Sequence, residues 1–204
     1  MSPEEFMTLL AFATAMSFTP GPNTTLSAAL AANHGLRRAV GFIIAVPTGW
    51  TLMMVACGLG LGSLVLAVPA LRWAVKVVGV LSLVWMAWKL AGSRSLGEAD
   101  PARLEVTFWQ GVALQFVNIK AWMLALAMAA GWVTSAAGQP AANPGQRLAI
   151  VCAVMLVFAL TSNLTYALVG SLLRHWLSQG RRLIGFNRLM AALLLATAAW
   201  MAVA

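Results

Sequence analysis

Charge is what this sequence lacks. Only 9% of its 204 residues are Asp, Glu, Lys or Arg, and just five are acids, whereas about a quarter of an average soluble domain is charged. A surface in water needs about 25–35% charged residues to stay dispersed, so a water-soluble globule is excluded. Histidine and cysteine occur twice each. They form no cluster at metal-ligand spacing, and there is no Ser-His-Asp constellation, so neither a metal centre, a hydrolytic site nor a cofactor is expected. What is abundant is apolar, 61% of the chain, and the missing solvent is lipid. At roughly 20 apolar residues per membrane helix, six helices take about 120 positions and leave no room for a soluble domain. The net charge of +8 would suggest nucleic acid for a soluble protein. Here it points to basic loops beside anionic lipid, with no nucleic-acid partner.

The apolar pattern predicts an all-α integral membrane protein of six spans, at residues 6–32, 39–66, 71–90, 108–133, 148–173 and 187–204. The first is interrupted by Thr19-Pro20-Gly21-Pro22-Asn23. A polar stretch at 93–105 holds most of the acids, and a Gly/Pro/Ala-rich connection at 138–145 follows the fourth span. Glu4 and Glu5 stand where a signal peptide would be basic, so the first run is read as a span. The expected organisation is a single membrane domain over 1–204, with halves 1–92 and 108–204 joined by a cytoplasmic connection at 93–107.

Cytoplasmic loops collect Lys and Arg, and alternate sides of the six spans are unequal. One side holds nine: Arg37, Arg38, Lys89, Arg94, Arg103, Arg174, Arg181, Arg182 and Arg188; the other holds three, Arg72, Lys76 and Arg147. This places the first, third and fifth loops in the cytoplasm and both termini outside. Three spans per half make the halves inverted, an arrangement that transporters use with a substrate site at the midplane.

The site candidates are the polar interruptions in the helices that open each half. Pro20 and Pro22 remove two backbone donors and Gly21 relaxes the chain, so the first helix breaks. Backbone left unpaired at membrane depth is tolerated only where protein or a water-filled cavity covers it. Asn23, Thr24 and Thr25 are available to cap the resumed helix, whose positive end then faces the membrane middle as an anion site. In the fourth span, Asn118 and Lys120 lie about ten to twelve residues inside the boundary. A mid-span Lys costs on the order of 2.5–3.5 kcal/mol, so Lys120 is expected to face protein or water and to have a partner rather than snorkel to the surface. Two further clusters, Thr161-Ser162-Asn163 with Tyr166 and Pro47-Thr48-Gly49-Trp50-Thr51, fit either interhelical hydrogen bonding or substrate contact. Gly58-Leu59-Gly60-Leu61-Gly62 follows no strand and reads as a close-packing surface.

Thr19-Pro20-Gly21-Pro22-Asn23, His34-Gly35 with Arg37, and Phe116-Val117-Asn118 with Lys120 together resemble the lysine-exporter (LysE/RhtB) family of amino-acid efflux proteins, over the whole chain. The stretch from Ala113 to Lys120 is most similar to the branch that exports cysteine and O-acetylserine. The family more often has Pro after the Asn, where this chain has Ile119, so a milder second break is expected. The resemblance implies export of amino acids from the bacterial cytoplasm across the inner membrane, driven by the proton gradient.

With no Asp or Glu inside any span, a cationic side chain would lack a carboxylate partner, so a small neutral substrate is expected. Its carboxylate would meet Lys120 and the helix terminus at Asn23 and Thr24. Its ammonium would meet carbonyls near Thr19 and Pro20, with Asn23 or Asn118. Lys120 is the first candidate for proton carrier and His34 the second. Two readings from other classes stand beside transport: a transmembrane thiol carrier using Cys57 and Cys152, and a non-transporting scaffold. The oligomeric state is left open between monomer and homo-oligomer.

Overall fold

The computed structural model describes residues 1–59, 67–94, 104–134, 142–179 and 181–203, and over these the chain is helical with no β-strand. Helix α1 (Pro3–Phe18) starts on a reciprocal cap: Ser2 Oγ accepts from the Glu5 N–H at 3.1 Å, and Glu5 Oε2 accepts from the Ser2 N–H at 2.6 Å, satisfying two orphan donors together. Pro20 and Pro22 end α1, and α2 (Pro22–His34) begins with Pro22 in the first helical position, where its missing N–H is no loss. Gly35, at φ 84, makes the left-handed corner into α3 (Leu36–Gly58), a backbone that favours glycine. Helix α4 (Pro69–Gly92) follows. Helix α5 (Phe108–Val117) opens on a Thr107–Gln110 cap, and α6 (Ile119–Met128) restarts after the single residue Asn118 and runs into a π-helical turn, Ala129–Val133. The last helices are α7 (Pro144–Leu177) and α8 (Arg182–Val203). Helix α7 overruns the expected 148–173 at both ends, because Pro144 is a favourable first residue and Arg174 and His175 suit the helix terminus, and α8 begins five residues before the expected 187. Arg103, Gly60 and Gly62, and with them part of the connection at 93–107, lie outside the described residues.

By length and composition α3, α4, α7 and α8 can each cross a membrane, and the α5–α6 pair, bent by 68°, makes a fifth if counted as one span. Helices α1 and α2, of 16 and 13 residues, are each shorter than the roughly 20 residues a crossing needs. The second break is shorter than the first, one residue against three, yet it turns the chain sharply without a proline. Helix α2 packs on α7, α4 on α8, and α3 on both α5 and α7. Two apolar clusters result: one joins α2, the first half of α3, α4 and α8 around Phe42, Leu90 and Leu194, and the other joins α1, the second half of α3, α6 and α7 around Leu9, Met53 and Met128. The polar side chains are inside: Ser27, Asn33, Gln115, Asn118, Asn163 and Asn187 are buried, while Leu172 is 80% exposed and Trp73, Trp88 and Trp109 are also exposed. Apolar groups outward, with tryptophans near helix ends, is the surface that lipid stabilises. Gly58 meets Leu148 at 3.0 Å from where a Cβ would stand, which agrees with close packing there.

The ends of the bundle are tied differently. At one, Arg147 makes a two-pronged pair with Glu5, both N···O distances 3.2 Å, and also donates to Trp132 O, while Trp132 Nε1–H donates to Glu5 O at 3.0 Å. The Ser2 N–H and then Arg147 hold the Glu5 carboxyl below its ordinary range. A lowered folded-state pKa stabilises the fold above the unfolded pKa and is lost as pH falls through the folded one. The melting temperature of the wild type is therefore expected to drop on acidification below the usual carboxylate range more than that of Glu5→Gln; parallel curves would contradict this. At the other end Asn33 and Asn187 exchange amide hydrogen bonds of 2.7 and 3.0 Å, and Asn187 also donates to Ser93 O at 3.2 Å.

Candidate functional site

The site begins with what the two prolines remove. In an unbroken helix Met16 O would accept from residue 20 and Phe18 O from residue 22, and both are prolines. Gly21 N–H, the natural donor to Ser17 O, goes instead to Thr24 Oγ1 at 3.0 Å. The last carbonyls of α1 are thus stripped of helical donors, and the other half of the chain supplies two: Tyr166 O–H donates to Phe18 O at 3.0 Å, and Lys120 Nζ donates to Thr19 O at 3.0 Å. On the far side of the break, Thr25 N–H makes the first bond of α2, to Gly21 O at 2.9 Å. This leaves the Asn23 and Thr24 N–H groups as orphan donors of that helix. The negative end of α1 and the positive end of α2 therefore meet at one place.

A cavity of about 60 Å³ lies there, lined by Thr19, Gly21, Pro22, Asn23, Thr24, Asn118, Lys120 and Asn163 among others. It has room for about four waters. Lys120 reaches across from α6, and a Cβ on Gly21 would stand 3.1 Å from Nζ, so the ammonium lies close against the Gly21 backbone. Lys120 is held by protein rather than reaching for the surface, and its partner is a carbonyl.

The breaks differ from expectation in their capping. Gly21, not Asn23 or Thr25, takes the cap position of α2, and Thr24 bonds back to it. Asn23 is instead turned to Gln115, with which it exchanges amide bonds of 2.8 and 3.2 Å. Asn118 caps α6, its Oδ1 accepting from Lys120 N–H at 3.1 Å. Asn163 lines the cavity, but its side chain is committed on both sides, accepting from Ser27 Oγ at 2.8 Å and donating to Ala159 O at 2.8 Å. Pro20 and Tyr166 do not line this cavity; both border a larger apolar cleft of about 440 Å³ beside α8. His34 lies at the far end of α2, with Nε2 2.7 Å from Leu104 O. Cys57 and Cys152 are free thiols packed against the second apolar cluster, and neither lines the cavity with Lys120.

Residues 14–204 match the family model described as LysE type translocator. The chain belongs to that family. Among its relatives is a protein of Klebsiella pneumoniae named cysteine/O-acetylserine efflux protein, 29% identical over 195 residues that cover 95% of each chain. A protein of the same name from Escherichia coli K12 is 30% identical over 182 residues, 87% of each chain. No solved structure matches.

In this LysE type translocator, the fold adds residues that sequence reasoning did not place in the site. Gln115 is fully buried and holds Asn23 from the other half; the available signal was an amide one helical turn before Asn118, in a helix whose other amide, Gln110, is used in its N-terminal cap. Ser27 holds Asn163 from α2. Ser17 and Trp50 line the cavity, and Trp50 lies in one of the two clusters whose role the sequence left open.

Proposed function

We propose that the protein exports small neutral amino acids and their derivatives, of the cysteine and O-acetylserine class, from the bacterial cytoplasm by alternating access with proton antiport. The observation that carries this reading is the meeting of two opposite helix ends and Lys120 at one cavity between the halves. A zwitterion matches that arrangement. Its carboxylate takes the Asn23 and Thr24 N–H groups and Asn118 Nδ2, and its ammonium takes the carbonyls of Met16, Ser17 and Thr19. The cavity is smaller than an amino acid, so substrate enters a widened form of the site.

Coupling follows from competition for one acceptor. In the empty site the Lys120 ammonium occupies Thr19 O. A substrate ammonium needs that same carbonyl, so substrate and a protonated Lys120 exclude each other. Substrate then leaves outward with Lys120 neutral, and the carrier returns with the proton that Lys120 takes up outside. One charge moved through 100 mV supplies about 2.3 kcal/mol, enough for a roughly fifty-fold gradient.

The architecture for this is six spans in two inverted halves, α1 with α2 forming the first and α5 with α6 the fourth, in the inner membrane with both termini periplasmic. Close packing supports the pairing. A Cβ on Gly170 would strike Ala28 O, between the fifth and first spans, and one on Gly49 would stand 2.7 Å from Val112 O, between the second and fourth. Exchanging the halves exchanges these contacts. Asn33 with Asn187, and Glu5 with Arg147, then close the cytoplasmic and periplasmic ends. The reading is tested by metabolite analysis of medium from cells overproducing the protein: cysteine, O-acetylserine or similar neutral amino acids are expected to rise outside. Enrichment of lysine alone, or of no amino acid, contradicts it.

A further inference from the structure

Two residues that line the cavity carry buried polar groups that the zwitterion does not use. Trp50 is 4% exposed and lines the cavity, and its Nε1–H has no hydrogen-bond partner. Ser17 Oγ, on the same cavity, is buried and also unpartnered. Such orphans are rare in folded proteins, since a buried donor left unpaired is destabilising. This protein pairs comparable groups elsewhere: Trp122 Nε1–H donates to Phe116 O at 2.8 Å and Trp132 Nε1–H to Glu5 O at 3.0 Å. Around Trp50 and Ser17 the lining is apolar, from Met16, Leu124 and Met155. This region offers donors without charge, beside the two helix ends that face the substrate backbone.

An indole N–H donates and never accepts. It therefore has no use for an ammonium, and it gains nothing from a methyl group. A thiol sulfur, a hydroxyl oxygen or an ester carbonyl one or two bonds beyond the α-carbon would satisfy it, with the Ser17 hydroxyl as a second donor.

We propose that Trp50 and Ser17 form the side-chain pocket of the transport site and select small side chains carrying a neutral hydrogen-bond acceptor over alkyl side chains of the same size. This rests on the placement of the substrate carboxylate and ammonium argued above. A site built to hydrogen-bond a substrate group rejects the analogue lacking it, because its own donors are then left unpaired.

The test compares serine with 2-aminobutyrate, which replaces the hydroxyl by a methyl group, as competitors of counterflow through the full-length protein in proteoliposomes. The wild type is expected to favour serine by about tenfold. Trp50→Phe keeps the aromatic bulk and removes the N–H, and is expected to bring that ratio close to one by weakening serine while 2-aminobutyrate shifts less than about twofold. Ser17→Ala is expected to move the ratio in the same direction. A wild type that transports both amino acids without preference, a ratio unchanged in both variants, or an equal loss for both amino acids in Trp50→Phe overturns the pocket while leaving the export reading intact. A wild type with which neither amino acid competes overturns both.

Discussion

Lys120→Ala is expected to lower export of neutral amino acids by about tenfold to a hundredfold and to remove accumulation against a gradient, with the protein still made and inserted. The first part follows from the return step: without Lys120, Thr19 O is left unpaired in the substrate-free carrier, and an unpaired buried acceptor costs about 1–3 kcal/mol. The second follows from losing the group that competes with the substrate ammonium at Thr19 O. Stability moves the other way. A mid-span Lys costs on the order of 2.5–3.5 kcal/mol on insertion, so the variant is expected to melt at the same temperature as the wild type or above it. A residue kept for the fold would show the reverse. Efflux from expression-matched cells, read beside thermal melting of the purified protein, separates the two roles, and wild-type export by the variant would remove Lys120 from the site.

Gly170→Ala is expected to cost about 1–3 kcal/mol of stability, the usual range for overpacking a close contact. The new Cβ would overlap Ala28 O and stand 2.9 and 3.0 Å from the Ala28 carbonyl carbon and Cα, all backbone atoms of α2. A helix backbone cannot step aside like a flexible side chain, so α2 must move off α7. Its first residues carry the orphan N–H groups of the cavity, so export is expected to fall as well. Gly41→Ala is the matched control, with nothing within 4 Å of its new Cβ and an expected gain of roughly 0.5–1 kcal/mol. Melting temperatures of the two variants in detergent are expected to move in opposite directions. Equal shifts would contradict the close approach of α2 and α7.

The parts of the site that were legible in the sequence are those where one residue type has a single physical consequence. Two prolines one residue apart cannot continue a helix, so the break at Thr19 to Gly21 was readable without any tertiary information. A lysine in an apolar run needs a partner, so Lys120 was readable too. Its partner was not, because the Thr19 carbonyl is 101 residues away in the chain. The same holds for Asn23 with Gln115 and Ser27 with Asn163. In a soluble helix the apolar stripe tells which face is buried. Here lipid and core are both apolar, so hydropathy carries almost no information on how α3 or α7 is rotated about its axis. That rotation decides that Trp50 and Asn163 line the cavity while Tyr166 turns to the cleft beside α8. The break at Asn118 is one residue against three at the first, but its sharpness is not legible for a related reason. No proline marks it, and the chain bends there by 68° where the Asn118 side chain caps the following helix.

Counterflow by the purified protein in proteoliposomes tests the central claim most directly. With vesicles preloaded with serine, external cysteine, O-acetylserine and serine are predicted to exchange through the wild type, lysine is predicted not to, and Lys120→Ala is predicted to keep this exchange while losing accumulation driven by an imposed pH gradient. Exchange driven by lysine, or pH-gradient-driven accumulation of the neutral amino acids by Lys120→Ala, would contradict a neutral-substrate site built on the α1–α2 break and Lys120.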